Sequence, residues 1–149
     1  MEVVDPSKEN PEFVTAAWPL VYVRAHGRDD DASVRRLLDG FAVQIRRGPC
    51  AIVLDTREVL YPALQDAQRF MRMEGEWVRD HRTLLERHVR GAAFVITNPA
   101  IRFLFSGVLL IASLPCPHTV TASLEDAKAF CHAQLRGAVS ARPRRVAAK

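Results

Sequence analysis

Pro49-Cys50-Ala51-Ile52-Val53-Leu54-Asp55 is a short apolar run closed by a single carboxylate. Gly48 precedes it, and the polar cluster Thr56-Arg57-Glu58 follows, ahead of a long helical pattern. An apolar run this short between such flanks reads as a buried strand. A carboxylate where a buried strand emerges beside a helix start marks the sheet edge at which α/β folds commonly place ligand contacts or switches.

Upstream, Leu20-Val21-Tyr22-Val23-Arg24 is rich in β-formers and reads as a strand closed by His26-Gly27. Glu12 to Ala17 is a weaker strand candidate, broken by Trp18-Pro19, and the two are expected to pair as a hairpin or bulged ribbon. Asp29-Asp30-Asp31 supplies N-cap candidates and negative charge for a helix start. Val34, Leu37, Leu38, Phe41, Val43 and Ile45 then keep a mostly helical spacing up to Arg46-Arg47-Gly48.

Downstream, Pro62 suits the first turn of a second helix. Its apolar stripe runs through Leu64, Ala67, Phe70, Met71, Trp77, Val78, Leu84, Leu85 and Val89, so one long helix is expected, bent at Gly75 and ended by Gly91. Ala92 to Thr97 is another buried strand. Asn98-Pro99 opens a third helix, Ala100 to Leu114, apolar on nearly all sides and stopped by Pro115-Cys116-Pro117. His118 to Thr121 is a short strand, and Ser123-Leu124-Glu125-Asp126 starts the last helix with a capping-box pattern. The order β-β-α-β-α-β-α-β-α implies an α/β fold, a mainly parallel sheet with flanking helices and right-handed crossovers.

A chain of 149 residues suits one domain. Expected boundaries are a flexible lead-in over 1–11, a domain over 12–136 and a disordered basic tail over 137–149. The net charge of +4 comes from that tail, because Arg142, Arg144, Arg145 and Lys149 account for all of it. No nucleic-acid partner is therefore expected. Three widely spaced cysteines, Cys50, Cys116 and Cys131, and a polar, acidic N-terminus point to a reduced cytoplasmic protein with thiols acting as small hydrophobes. The apolar stretch from Ile101 to Leu114 carries Arg102 and falls short of the ~20 residues a spanning helix needs, so no stable membrane insertion is expected.

This order of elements, with Ile52-Val53-Leu54-Asp55 before the second helix, resembles the STAS domain of sulfate transporters and anti-sigma factor antagonists. The nearest likeness is to divergent bacterial STAS-like or lipid-transfer-like domains. Their last third reads like Gly91-Ala92-Ala93-Phe94-Val95, an apolar helix, Pro-x-Pro and a final Ser-Leu-Glu-Asp-Ala helix. The resemblance spans roughly Phe13 to Leu135 and carries no catalytic signature. In the antagonist branch an Asp ends the third strand, and a Ser phosphorylated by a partner kinase soon follows at the next helix start. Asp55 matches that carboxylate. The serine has no counterpart, since Val59-Leu60-Tyr61-Pro62 occupies its place and Thr56 directly follows the strand. The resemblance thus implies partner binding without the usual phosphorylation switch.

Asp55, Arg57 and Glu58 form either a ligand-binding or catalytic cluster or a set of helix caps and surface ion pairs. His81 and His88 lie two turns apart, too far for the i, i+4 pair of a zinc helix, and read as packed or boundary residues. Cys116 and His118 have no further ligands nearby in sequence, and Ser106 has no evident base. No catalytic residue, metal site or cofactor is expected. The third helix has more apolar surface than one buried stripe requires, and the excess belongs in the core, in a protein interface or against an apolar ligand.

The expectation is a non-catalytic protein-interaction or regulatory module, with homodimerisation one form of that interaction. Its contact residues would be Asp55, Thr56, Arg57, Glu58 and Tyr61 after the strand, with Phe103 and Leu104 on the third helix. The alternative is binding of an apolar small molecule or lipid beside that helix.

Overall fold

Strand order in space follows strand order in sequence. In the computed structural model, which describes residues 10–61 and 63–140, five strands form one sheet in the order β1-β2-β3-β4-β5. They are β1 (Glu12–Val14), β2 (Leu20–Arg28), β3 (Cys50–Leu60), β4 (Val89–Val95) and β5 (His118–Thr121). Only β1 is antiparallel to its neighbour; the three other pairings are parallel.

Sequential parallel strands joined by right-handed crossovers must carry every connecting helix on the same face. Those helices are α1 (Asp31–Arg46), α2 (Leu64–Asp80), α3 (Arg82–His88) and α4 (Pro99–Ala112). On that face Val21, Val23, Ile52 and Leu54 pack with Ile45 of α1 and Leu85 of α3. The last helix, α5 (Leu124–Ser140), covers the opposite face through Ala127 and Cys131, against Ala51, Val53, Ala93 and Val95. Burial on both faces explains why β3 and β4 read as continuous apolar runs.

The helix starts follow their capping residues. Asp30 caps α1, accepting from Ser33 N at 2.7 Å while the Ser33 hydroxyl accepts from Asp30 N at 2.9 Å. Asn98 caps α4, accepting from Ala100 N at 2.9 Å and Ile101 N at 3.2 Å. The Ser123 hydroxyl accepts from Asp126 N at 3.2 Å at the start of α5. The N-cap of α2 is Ala63, which offers no side-chain bond. Pro62, expected in the first turn of that helix, lies outside the described residues.

Three expectations need correction. The long second helix is two helices, and the break falls at His81; α2 runs unbroken through Gly75. His81 stacks on Trp77, with ring centroids 4.4 Å apart, and its Nδ1 lies 2.8 Å from Trp77 O, so it occupies the carbonyl at the helix end. Val89 and Gly91 belong to β4 instead of closing that helix. Finally, β3 does not stop at Asp55 but continues to Leu60.

At the ends of the domain, Asn10 and Pro11 are part of the fold. Asn10 accepts from His26 N at 3.0 Å through its side chain and from Arg36 Nε at 3.0 Å through its carbonyl. Helix α5 carries four residues past position 136. The rest of the expected lead-in and tail, 1–9 and 141–149, lies outside the described residues. Among the described residues no helix is long and apolar enough to cross a membrane.

Candidate functional site

The prolonged β3 creates a charged cluster on the α5 side of the sheet. Arg24 pairs in register with Asp55, but His26 pairs with Glu58, so β3 holds one extra residue between the two pairings. Such a bulge shifts the alternation of the strand and re-aims the side chains beyond it. Glu58 thereby reaches Arg24, whose Nη2 donates to both carboxylate oxygens at 2.7 and 2.6 Å.

Asp55 itself is buried, at 3% exposure. The Tyr22 hydroxyl donates to its Oδ2 at 2.6 Å. Arg57 donates from Nε to Oδ1 at 2.9 Å and from Nη2 to Oδ2 at 2.8 Å, and its backbone N–H reaches Oδ1 at 3.1 Å. Burial would raise the carboxyl's pKa, but the bonds from Arg57 and Tyr22 outweigh it and hold Asp55 below the usual carboxylate range. Burial and the adjacent carboxylate push Tyr22 the other way, up to about 12. Lys128 of α5 sits over the Tyr22 ring, 5.4 Å from its centroid.

Each carboxylate of the expected cluster is therefore held by an arginine. A general acid–base pair needs groups free to exchange protons with a substrate. The ion-pair reading of Asp55, Arg57 and Glu58 fits this geometry. Thr56 turns the other way, its hydroxyl donating to Val95 O at 2.7 Å and tying β3 to the end of β4. Tyr61 is exposed at the strand's end beside Leu60. Phe103 and Leu104 lie apart from the charged cluster, on the outer surface of α4. Tyr22 and Arg24 complete the cluster and went unmarked in the sequence. The signal was the alternation of β2, where polar positions 22 and 24 interleave with Val21, Val23 and Ala25.

The remaining candidates bond backbone carbonyls, His88 half-buried and His118 and Ser106 exposed. His88 Nδ1 bonds Ile45 O, linking α3 to α1. His118 Nδ1 lies 2.9 Å from Cys116 O, and the Ser106 hydroxyl donates to Arg102 O at 2.8 Å within its own helix. All three cysteines are free, and burial pushes their thiols up, Cys50 to about 11 and Cys116 and Cys131 to about 12. Among the described residues no group of three or more His, Cys, Asp or Glu side chains could hold a metal ion.

On the other face, between the sheet and α1, α2 and α4, lies a partly open cavity of about 230 Å³. Its walls include Phe41, Leu54, Trp77, Phe94 and Phe105, and Asp29 and Glu74 are its acidic residues. Burial, and secondarily the charge of Asp29, push Glu74 up to about 7. The sequence held a signal for this residue too. Glu74 stands inside the apolar stripe of α2, three or four residues from Phe70, Met71, Trp77 and Val78.

No protein-family model and no curated protein matches the chain. Solved structures do. A DUF3478-family protein with a SpoIIAA-like fold from Shewanella loihica PV-4 superposes with a TM-score of 0.54 at 11% identity, over 81% of this chain and 91% of that one. The anti-sigma factor antagonist SpoIIAA in its unphosphorylated form gives 0.51 at 12% identity, over 83% and 96%. An anti-sigma factor antagonist from Mycobacterium paratuberculosis gives 0.54 at 13% identity, over 87% and 99%. With the mostly parallel five-stranded sheet and five helices described above, these likenesses show that the chain has the STAS-like, SpoIIAA-like fold.

Proposed function

We propose that this chain is a non-catalytic regulatory module that acts by binding protein. Docking would use the outer face of α4 and the end of β3, from Asp55 to Tyr61. The observation that carries this reading is the apolar stripe on α4. Phe103 and Leu110 are 81% and 82% exposed, Ile111 is 87% exposed, and Leu104 is half-exposed. Their spacing, with Gly107 between them, places them on one side of the helix. Covering a side chain of this size contributes about 1.5–3 kcal/mol, so a contiguous stripe left in water favours a partner. Two of the structural neighbours are anti-sigma factor antagonists, proteins named for action on another protein.

On the opposite, α5-covered side of the sheet, the bulged end of β3 offers a fixed polar pattern. Its paired charges suit recognition by complementary placement. Regulation here would proceed without a serine switch. Val59 and Leu60 are strand residues, Thr56 has its hydroxyl engaged by Val95 O, and the α2 N-cap is Ala63, all of which favour that reading.

Light scattering over a concentration series, joined to affinity capture, tests the proposal. Wild-type chain is expected to self-associate or to retain a protein partner, and Leu110→Glu/Ile111→Glu is expected to do neither. A strict monomer that retains no protein would overturn it.

A second reading is favoured by the cavity beneath α4, whose walls are predominantly apolar. There the domain would hold an apolar small molecule, and native mass spectrometry of protein purified from its source would detect it.

A further inference from the structure

The cavity is uneven in its chemistry. It is lined by aromatic and aliphatic side chains from the sheet, α1, α2 and α4, and two carboxylic acids reach it, Glu74 from α2 and Asp29 from the loop before α1. Among the described residues no lysine, arginine or histidine lines it. Asp29 has the Ser33 hydroxyl at 3.5 Å. Glu74 has no hydrogen bond or ion pair among the described residues. It is half-buried and lines the cavity.

A carboxylate in apolar surroundings must be neutralised, paired or replaced, because an isolated buried charge is costly. Alone, Glu74 meets this by holding its proton to about 7. A cationic group delivered by a ligand would meet it better, since a charge-assisted hydrogen bond is roughly twice as strong as a neutral one. The walls agree with that choice. Phe41, Trp77, Phe94 and Phe105 offer ring faces or edges to an apolar body, and aromatic faces attract cations. An anionic ligand such as a fatty acid would meet two acids and, among the described residues, no base. The size also limits the occupant. A dry apolar cavity of about 150 Å³ holds benzene, so about 230 Å³ admits a ring with a short chain, or a medium alkyl chain with its head group.

We propose that this cavity binds a small amphiphilic amine, its apolar body against Phe41, Trp77, Phe94 and Phe105 and its ammonium group on the Glu74 carboxylate. The proposal rests on the second reading above and names the ligand class for that pocket.

The test titrates the full chain, in a Trp18→Phe background, with octylamine, octanol and octanoate at about pH 8, where Glu74 is ionised and the amine protonated. Trp77 fluorescence reports occupancy directly, because its ring lines the cavity. Octylamine is expected to bind at least about ten-fold more tightly than octanol, and octanoate more weakly than either. Glu74→Gln, an isosteric change, is expected to remove the amine's advantage over octanol. If amine and alcohol bind alike, or the advantage survives in Glu74→Gln, the amine assignment fails while the pocket stands. If no octyl compound gives a saturable response, the pocket reading fails and this proposal with it.

Discussion

Arg57 folds back on Asp55, two residues earlier on the same strand, and grips both of its carboxylate oxygens at 2.9 and 2.8 Å. The pair spans the boundary of the fold, with the Asp55 side chain 4% exposed and the Arg57 side chain 42% exposed. Together with Tyr22, it makes a buried carboxylate within β3 a fixed part of the sheet.

Replacing Asp55 by Asn removes the charge that both Arg57 and Tyr22 address. Arg57 is partly in water, which softens the loss, so Asp55→Asn is expected to destabilise by about 2–3 kcal/mol in urea unfolding. The sign with pH follows from a carboxyl held below its ordinary value in the folded state. Its contribution is present above the unfolded pKa and is lost as pH falls through the folded one. The wild-type advantage over Asp55→Asn should therefore shrink in acid, and an advantage that grows in acid would contradict this arrangement.

Tyr22 gives the complementary prediction at high pH. Burial and then Asp55 push its phenol up to about 12 from 10.0. A group that binds its proton more tightly when folded contributes stability below its unfolded pKa and loses it as pH rises through the folded one. Ultraviolet titration should show one tyrosine ionising late, and Tyr22→Phe should remove that late step. Wild-type stability should also fall between those two values more steeply than that of Tyr22→Phe.

Two helical glycines should respond oppositely to alanine. At Gly75 a Cβ meets nothing within 4 Å, so Gly75→Ala is expected to stabilise α2 by about 0.5–1 kcal/mol. At Gly40 the same atom would lie 2.2 Å from the Phe13 ring, which is packed edge-on against Phe41. Gly40→Ala is expected to lower the melting temperature despite its better helix propensity, and Phe13→Val should restore part of the loss. Equal shifts at both glycines would show that the Phe13 ring is free to move aside.

Glu74 carries its own pH signature. Burial pushes its carboxyl up to about 7 from an ordinary 4.5, so its contribution is fully present below the unfolded value and is lost as pH rises through the folded one. Asp29, Tyr61 and Cys116 are the other titratable groups that line the cavity. Glu74→Gln is expected to flatten the fall in stability across that interval and to leave the chain more stable than wild type above it. Chemical denaturation at several pH values measures both effects, and parallel curves for the two proteins would place Glu74 in solvent.

Much of the fold was written in local pattern. The alternation of short apolar runs with 3.6-residue stripes is a property of neighbours in sequence, and it gave the element order and the parallel sheet. The caps at Asp30, Asn98 and Ser123 were equally local. The errors arose where distant residues intervened. Thr56-Arg57-Glu58 lacks apolar alternation, yet it stays in the sheet because β2 runs on to Arg28 and supplies pairing partners. The stripe from Leu64 to Val89 is continuous enough to suggest one helix, while the break at His81 is accompanied by its stacking on Trp77 and by β4 beginning at Val89.

The site divides in the same way. Sequence determined that a carboxylate closes the apolar run of the central strand, that Val59-Leu60-Tyr61-Pro62 follows with no serine or threonine, and that the helix from Ala100 to Leu114 has more apolar surface than one face can bury. Tertiary structure decided which groups answer those features. It set Tyr22 and Arg57 on Asp55, gave Glu58 to Arg24 through a bulge, turned Phe103, Leu110 and Ile111 outward, and left Glu74 facing a cavity. The physical reason is that periodicity fixes which face a side chain occupies, while register, bulges and helix packing across the sheet fix what that face meets.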